Sequence, residues 1–182
     1  MSTGTSKISK RKITAAVCAV IFTAAFIAAV FLNLIFPPQY SHGPNRRITD
    51  DAEDILIEKK GRSVTVILDG EEVRFLPKGV LVQDVLFDDI DHDGKKDIAV
   101  LCWKRGKYGK KKPSWVKRDE IKWSQHIFIY RIENGRVIPR WMASDIGVRA
   151  ASWEYRDKVL FITDTKGEVT KWKWIHWGLE KM

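Results

Sequence analysis

Between Val80 and Trp103 the chain reads as two β-prone runs joined by nine residues, Asp89-Ile90-Asp91-His92-Asp93-Gly94-Lys95-Lys96-Asp97. No other stretch narrows the fold as far. Four carboxylates this close repel one another unless a cation sits among them. Oxygen ligands at alternate positions suit Ca²⁺, which takes six to eight oxygens in flexible geometry. Asp89, Asp91, Asp93 and Asp97 are the candidate side-chain ligands, and Lys95 a candidate backbone-carbonyl ligand. Gly94 permits the sharp turn that a Cβ would resist. An ordinary Asp- and Gly-favouring turn needs one or two such residues, not four acids. A helical calcium loop is excluded by its twelfth position, Val100, where a bidentate Glu is required. The runs Val80–Phe87 and Ile98–Trp103 are β-branched or aromatic and of strand length. The acidic loop therefore joins two strands.

The surrounding sequence repeats that grammar. Short β-prone runs are predicted at 55–59, 63–68, 72–76, 82–87, 97–103, 125–132, 136–143, 148–155, 158–163 and 168–177, with no long 3.6-residue period among them. Asp69-Gly70 and Asn134-Gly135 favour the positive φ of tight hairpins, and Lys166-Gly167 is a weaker signal of the same kind. The runs group into about three four-stranded units within residues 50–182. The predicted class is all-β: antiparallel, propeller-blade-like hairpins forming a small sandwich, a barrel or a partial propeller. A closed propeller is disfavoured, since such folds carry 4–8 blades.

The segment from Val85 to Val100 resembles an FG-GAP (VCBS-type) repeat of integrin-like β-propellers. The resemblance implies that the loop at 89–97 links the first two strands of a blade. It also implies calcium ligation by Asp89, Asp91, Asp93 and Asp97, with the Lys95 carbonyl completing the set. It covers about 20 residues, and no second acidic loop of this kind occurs in the chain.

Ahead of the β region, residues 13–36 carry no formal charge. As a helix rising ~1.5 Å per residue they would span about 36 Å, enough for a ~30 Å hydrocarbon core. Lys7, Lys10, Arg11 and Lys12 flank the run without an acid. The positive-inside rule then makes 1–12 a cytoplasmic tail, 13–36 a transmembrane helix, 37–49 a Pro-rich linker and 50–182 an extracytoplasmic domain. A cleaved signal peptide fits less well, because its apolar region is only ~7–15 residues long. Cys18 lies in the apolar run and Cys102 in a predicted strand, so no internal disulfide is expected.

Residues 104–122 form a basic insertion holding nine of the cations and two acids, in a chain of net charge +9. Arg105, Lys107, Lys110, Lys111, Lys112, Lys117 and Arg118, with Trp115 among them, are candidate ligands for an anion through charge attraction and cation–π contact. Placed outside the cytoplasm, that loop would meet an anionic envelope polymer or an envelope protein, and no nucleic acid. A solvated, self-repelling loop is the plain alternative. Eight tryptophans are many for this length; core packing accounts for them, and a sugar-stacking platform would require exposed rings. The segments Trp123–Tyr130, Trp141–Ser144 and Trp177–Leu179 are similar to regions of membrane-anchored proteins of capsule or poly-γ-glutamate synthesis, which implies an anionic polymer but carries no catalytic motif. The expected role is a calcium-binding, membrane-anchored binding or assembly module. The alternatives are an envelope polysaccharide-processing enzyme and an accessory subunit of an envelope complex.

Overall fold

The computed structural model describes residues 10–35, 43–108 and 113–182, with side chains of the first segment described over 15–28. That segment is one α-helix, α1 (Lys10–Ile35), of 26 residues. Ala, Leu and Ile without Gly or Pro favour it. Thr23 returns its hydroxyl to the Ala19 carbonyl at 2.8 Å, so this polar group is satisfied within the helix. Among the described residues no helix is long and apolar enough to cross a membrane. The described side chains stop at 15–28, short of the ~20 residues a span needs. Residues 1–9 and 36–42, most of the basic tail and the Pro-rich part of the linker, lie outside the described residues.

The rest is β. Strands β1 (Arg46–Asp50), β2 (Ile55–Lys60), β3 (Ser63–Leu68) and β4 (Glu71–Val73) form a first sheet. A second holds β5 (Leu81–Asp88), β6 (Asp97–Arg105), β7 (Trp123–Glu133) and β8 (Arg136–Met142). A third holds β9 (Ala150–Arg156), β10 (Val159–Asp164), β11 (Val169–Ile175) and β12 (Gly178–Lys181). Each sheet is an open antiparallel meander in chain order. The barrel expected as one alternative is thereby excluded. Asp69-Gly70 and Asn134-Gly135 both turn with positive φ at each residue, as their sequences predict. Asp157-Lys158 does the same without a glycine (φ 51° and 62°), which is why the β9–β10 turn carries no sequence signal.

The sheets stack in three layers. Ile55, Ile57, Val64 and Val66 of the first sheet meet Ile98, Val100, Cys102, Phe128 and Tyr130 of the second. The opposite face of the second, Ala99, Leu101, Ile127 and Ile129, meets Trp153, Leu160 and Ile162 of the third. The middle sheet is thus buried on both faces, and residues 97–103 of β6 are buried without a break. Two polar networks cross this core. A bulge in β5 turns both Gln83 and Asp84 inward. Gln83 accepts from Trp103 Nε1 (2.8 Å) and Gln125 Nε2 (2.7 Å) and donates to the Ala150 carbonyl (2.9 Å). Asp84 accepts from Arg46 Nε (2.5 Å) and Nη2 (2.9 Å) and from Trp153 Nε1 (3.1 Å), so one carboxylate ties all three sheets.

On the third sheet Arg156 and Lys171 cover the Phe161 ring, at 4.4 and 5.7 Å from its centroid.

Two boundaries differ from expectation. The folded region begins at Arg46, inside the segment read as linker 37–49. The strand Arg-Arg-Ile-Thr-Asp has no apolar run to announce it; it is held by the Arg46–Asp84 pair and by Lys59, whose buried ammonium donates to the Gly43 and Pro44 carbonyls. The strand expected at 168–177 ends at Ile175 as β11, and the chain folds back at His176-Trp177 into β12, a strand with no counterpart in the expectation.

Candidate metal centre

The acidic loop is the β5–β6 connection, and its backbone is shaped by its own carboxylates. Asp89 accepts the amides of Asp93 (3.1 Å) and Gly94 (3.1 Å), and Asp93 that of Lys95 (3.0 Å). Asp91 Oδ1 accepts the Asp93 amide at 3.3 Å, and Asp97 Oδ2 the Asp91 amide at 3.3 Å. Such bonds replace the ladder a strand would offer and wind the chain around a centre. Gly94 sits at φ 88°, where it avoids the strain a Cβ would bring.

Asp89, Asp91 and Asp97 each turn one oxygen to a common point, the three lying within 4.8 Å of one another. Asp97 is fully buried, and its Oδ1 has no hydrogen-bond partner. A buried carboxylate oxygen without a partner is costly. Its carboxyl is accordingly pushed up to about 6, chiefly by burial and next by the Asp91 charge. Asp93 is not part of this cluster: its Oδ2 pairs with Arg131 at 2.5 Å. Of the five expected ligands the fold gathers three, and sets Asp93 beside them.

All three sheets brace the loop. Arg131 of β7 reaches Asp91 (2.6 Å) and Asp93, and Arg140 of β8 reaches Asp91 (2.9 Å). Lys96 reaches back to Asp50 of β1 (2.8 Å). From β9, Tyr155 donates its hydroxyl to the Asp89 carbonyl (3.1 Å) and meets His92 Nε2 at 2.9 Å. Burial, then the surrounding acids, push the Tyr155 phenol up to about 12, so it stays a donor. None of these partners has a local sequence signal, since the hydrogen-bonded ones stand 40 to 66 residues from the loop residue they touch. The strand register that sets Asp97 opposite Arg131 is the one clue a correct alignment of β6 with β7 would give.

The donor chemistry fits a divalent cation. Four carboxylates face two guanidiniums, which leaves two negative charges for an ion to neutralise. Hard oxygens in an irregular, non-octahedral arrangement suit Ca²⁺ better than Mg²⁺, which demands near-ideal octahedral geometry.

The basic insertion is anchored at its base. Gly106 donates to the Lys122 carbonyl (3.0 Å), and Asp119 accepts the amides of Lys107 (2.8 Å) and Tyr108 (3.2 Å). Arg105 lies 5.2 Å over the Trp123 ring and Lys107 6.0 Å over Tyr108. Trp115, Lys117 and Arg118 are exposed; Lys110, Lys111 and Lys112 lie outside the described residues. His126 is fully buried between Ser124 Oγ (2.8 Å) and the Ala143 carbonyl (2.9 Å), a packed histidine whose burial holds its pKa down.

Comparison with protein-family models, with curated proteins and with solved structures finds no match for this chain.

Proposed function

We propose that this chain is a calcium-stabilised β module, anchored in a membrane through its uncharged run at 13–36 and displayed outside the cytoplasm as a binding or assembly module of the cell envelope. One observation carries the metal reading: the buried, unpartnered Asp97 Oδ1 within 4.8 Å of oxygens from Asp89 and Asp91. Asp89, Asp91 and Asp97 would hold the ion, and the Lys95 carbonyl and water would complete its shell. The ion would supply charge neutralisation and rigidity to the junction of three sheets. The three meanders, with an acidic loop between the first two strands of the middle one, support the likeness to FG-GAP-type blades. The uncharged run at 13–36 behind a basic flank supports the anchor. The net charge of +9 supports an anionic partner.

The test is thermal unfolding of the full chain in detergent, in calcium and then in chelator. At calcium ~100-fold above Kd, linkage adds ~2.7 kcal/mol, which for a domain of this size raises Tm by about 10 °C. An unchanged Tm, with Asp91→Ala equally silent, overturns the metal reading. Protease added outside sealed cells must digest the β region if the topology holds; protection of that region overturns the anchor reading.

A further inference from the structure

Trp177, at the β11–β12 turn, leaves 73% of its surface in water. An aromatic so exposed is informative where a scattered Leu would not be. It borders a cleft of about 280 Å³ whose other aromatic walls are Trp141 and Trp172, with Asp145 at the rim. Asp145 accepts the Gly147 amide through Oδ1 at 3.0 Å, which leaves Oδ2 for a ligand. Trp141 is fixed in place: it lies against the Gly178 backbone, where any Cβ would enter the indole. It also meets Trp174 edge to face, centroids 6.3 Å apart at 77°. Trp174 is in turn a wall of a second cleft, of about 720 Å³, that carries Arg140, Lys158, Lys173 and His176. Asp91 and Asp157 border it too, but Asp91 is already held by two arginines. The Trp141–Trp174 pair is therefore shared between an indole-walled cleft and a cationic one.

We propose that these adjoining clefts bind an acidic oligosaccharide. A pyranose presents an apolar C–H face that packs on an indole, whose ring face is electron-rich. Its hydroxyls donate to Asp145. A neighbouring uronate then places its carboxylate between Lys158 and Lys173, beside the Arg140 guanidinium, whose Nε stays on Asp91. A single-stranded nucleic acid also combines rings with charge, but its phosphates at every unit call for cations along the whole track, and here the indole cleft carries an acid instead. The assignment rests on the reading of the chain as a binding module; it does not depend on the metal.

The full chain in detergent is titrated with a fluorescein-labelled hexamer of β-1,4-glucuronate, with labelled cellohexaose as its neutral counterpart and labelled hexathymidylate as the nucleic-acid arm. The glucuronate hexamer is expected to bind at least tenfold more tightly than either. Trp177→Ala, at an exposed site that leaves the core intact, weakens it tenfold or more. Lys173→Gln weakens it severalfold and leaves cellohexaose unchanged. Lys117→Gln with Arg118→Gln, in the basic insertion, has no effect. No binding, indifference to Trp177→Ala, tighter hexathymidylate binding, or loss on the insertion variant instead would each overturn the assignment. A chain that gains its calcium-dependent Tm yet ignores glucuronate loses this inference alone.

Discussion

Asp97→Asn separates the metal reading from every purely structural account of the loop, because its sign should invert with calcium. In the calcium-free chain the folded Asp97 carboxyl titrates at about 6, against an ordinary 3.8. Between those values the folded state holds a proton that the unfolded state has released. Stability therefore falls as pH rises through the window and stays low above it. At ~1.36 kcal/mol per pH unit the deficit approaches 3 kcal/mol, and on the order of 2 kcal/mol once solvent screening of the loop is allowed for. Asparagine cannot ionise. Its carbonyl can still accept the Asp91 amide, and its NH₂ can donate to the Asp89 and Asp91 carboxylates that face it.

The variant should thus be about 2 kcal/mol more stable than the parent at pH 8 without calcium, and indistinguishable from it below pH ~4. With calcium ~100-fold above Kd the parent gains ~2.7 kcal/mol and the variant, short of a carboxylate ligand, gains little. The order then reverses. Urea unfolding followed by tryptophan fluorescence at pH 5 and pH 8, with and without calcium, reads all of these states. A D97N chain that is less stable than the parent at pH 8 without calcium, and still gains in calcium, refutes the reasoning.

Other perturbations reach the same architecture from different sides. Asp84→Ala leaves Arg46 and the buried Trp153 Nε1 without an acceptor, and should cost about 2–4 kcal/mol in urea unfolding, with an unchanged m-value. Arg140→Gln removes a cation from Asp91 Oδ2, so calcium binding by titration calorimetry should tighten severalfold, about 1 kcal/mol at protein-surface screening. Cys102 is fully buried and its thiol is driven well above the ordinary range by that burial; iodoacetamide should leave it unmodified in the native chain and label it in urea, as read by peptide mass spectrometry.

The position of the acidic loop explains why a site of nine residues should matter to the whole domain. It sits where Asp50 of the first sheet, Arg131 and Arg140 of the second and Tyr155 of the third converge. Without an ion, those contacts must balance the loop's four acids with two arginines and leave Asp97 Oδ1 unmatched. With an ion, the same contacts become a junction among layers that otherwise meet through apolar packing and the Gln83 and Asp84 networks. Loss of metal should therefore be felt as loss of cooperativity across the stack, beyond the fraying of one hairpin.

What is legible in the sequence is what short-range chemistry encodes. The Asp-x-Asp-x-Asp-Gly spacing fixes a loop on strands because ligands at alternate positions and a positive-φ glycine need no distant partner. Asn134-Gly135 and Asp69-Gly70 fix hairpins for the same reason, and Trp172 and Trp174 share a face by the two-residue period alone. The illegible parts depend on contacts made across the stack. β1 is a strand because Asp84 waits for Arg46, and no run of five residues could disclose it. Asp93 stands beside the three-carboxylate cluster, paired with Arg131 from a strand 38 residues on, a placement that the motif's spacing alone does not disclose. The strand expected at 168–177 takes in Trp177, whereas the chain folds back there and leaves the ring outside. A pattern read along the chain tells which face a side chain shares with its neighbours. Whether that face meets another sheet, a charge or water is decided by the residues stacked against it.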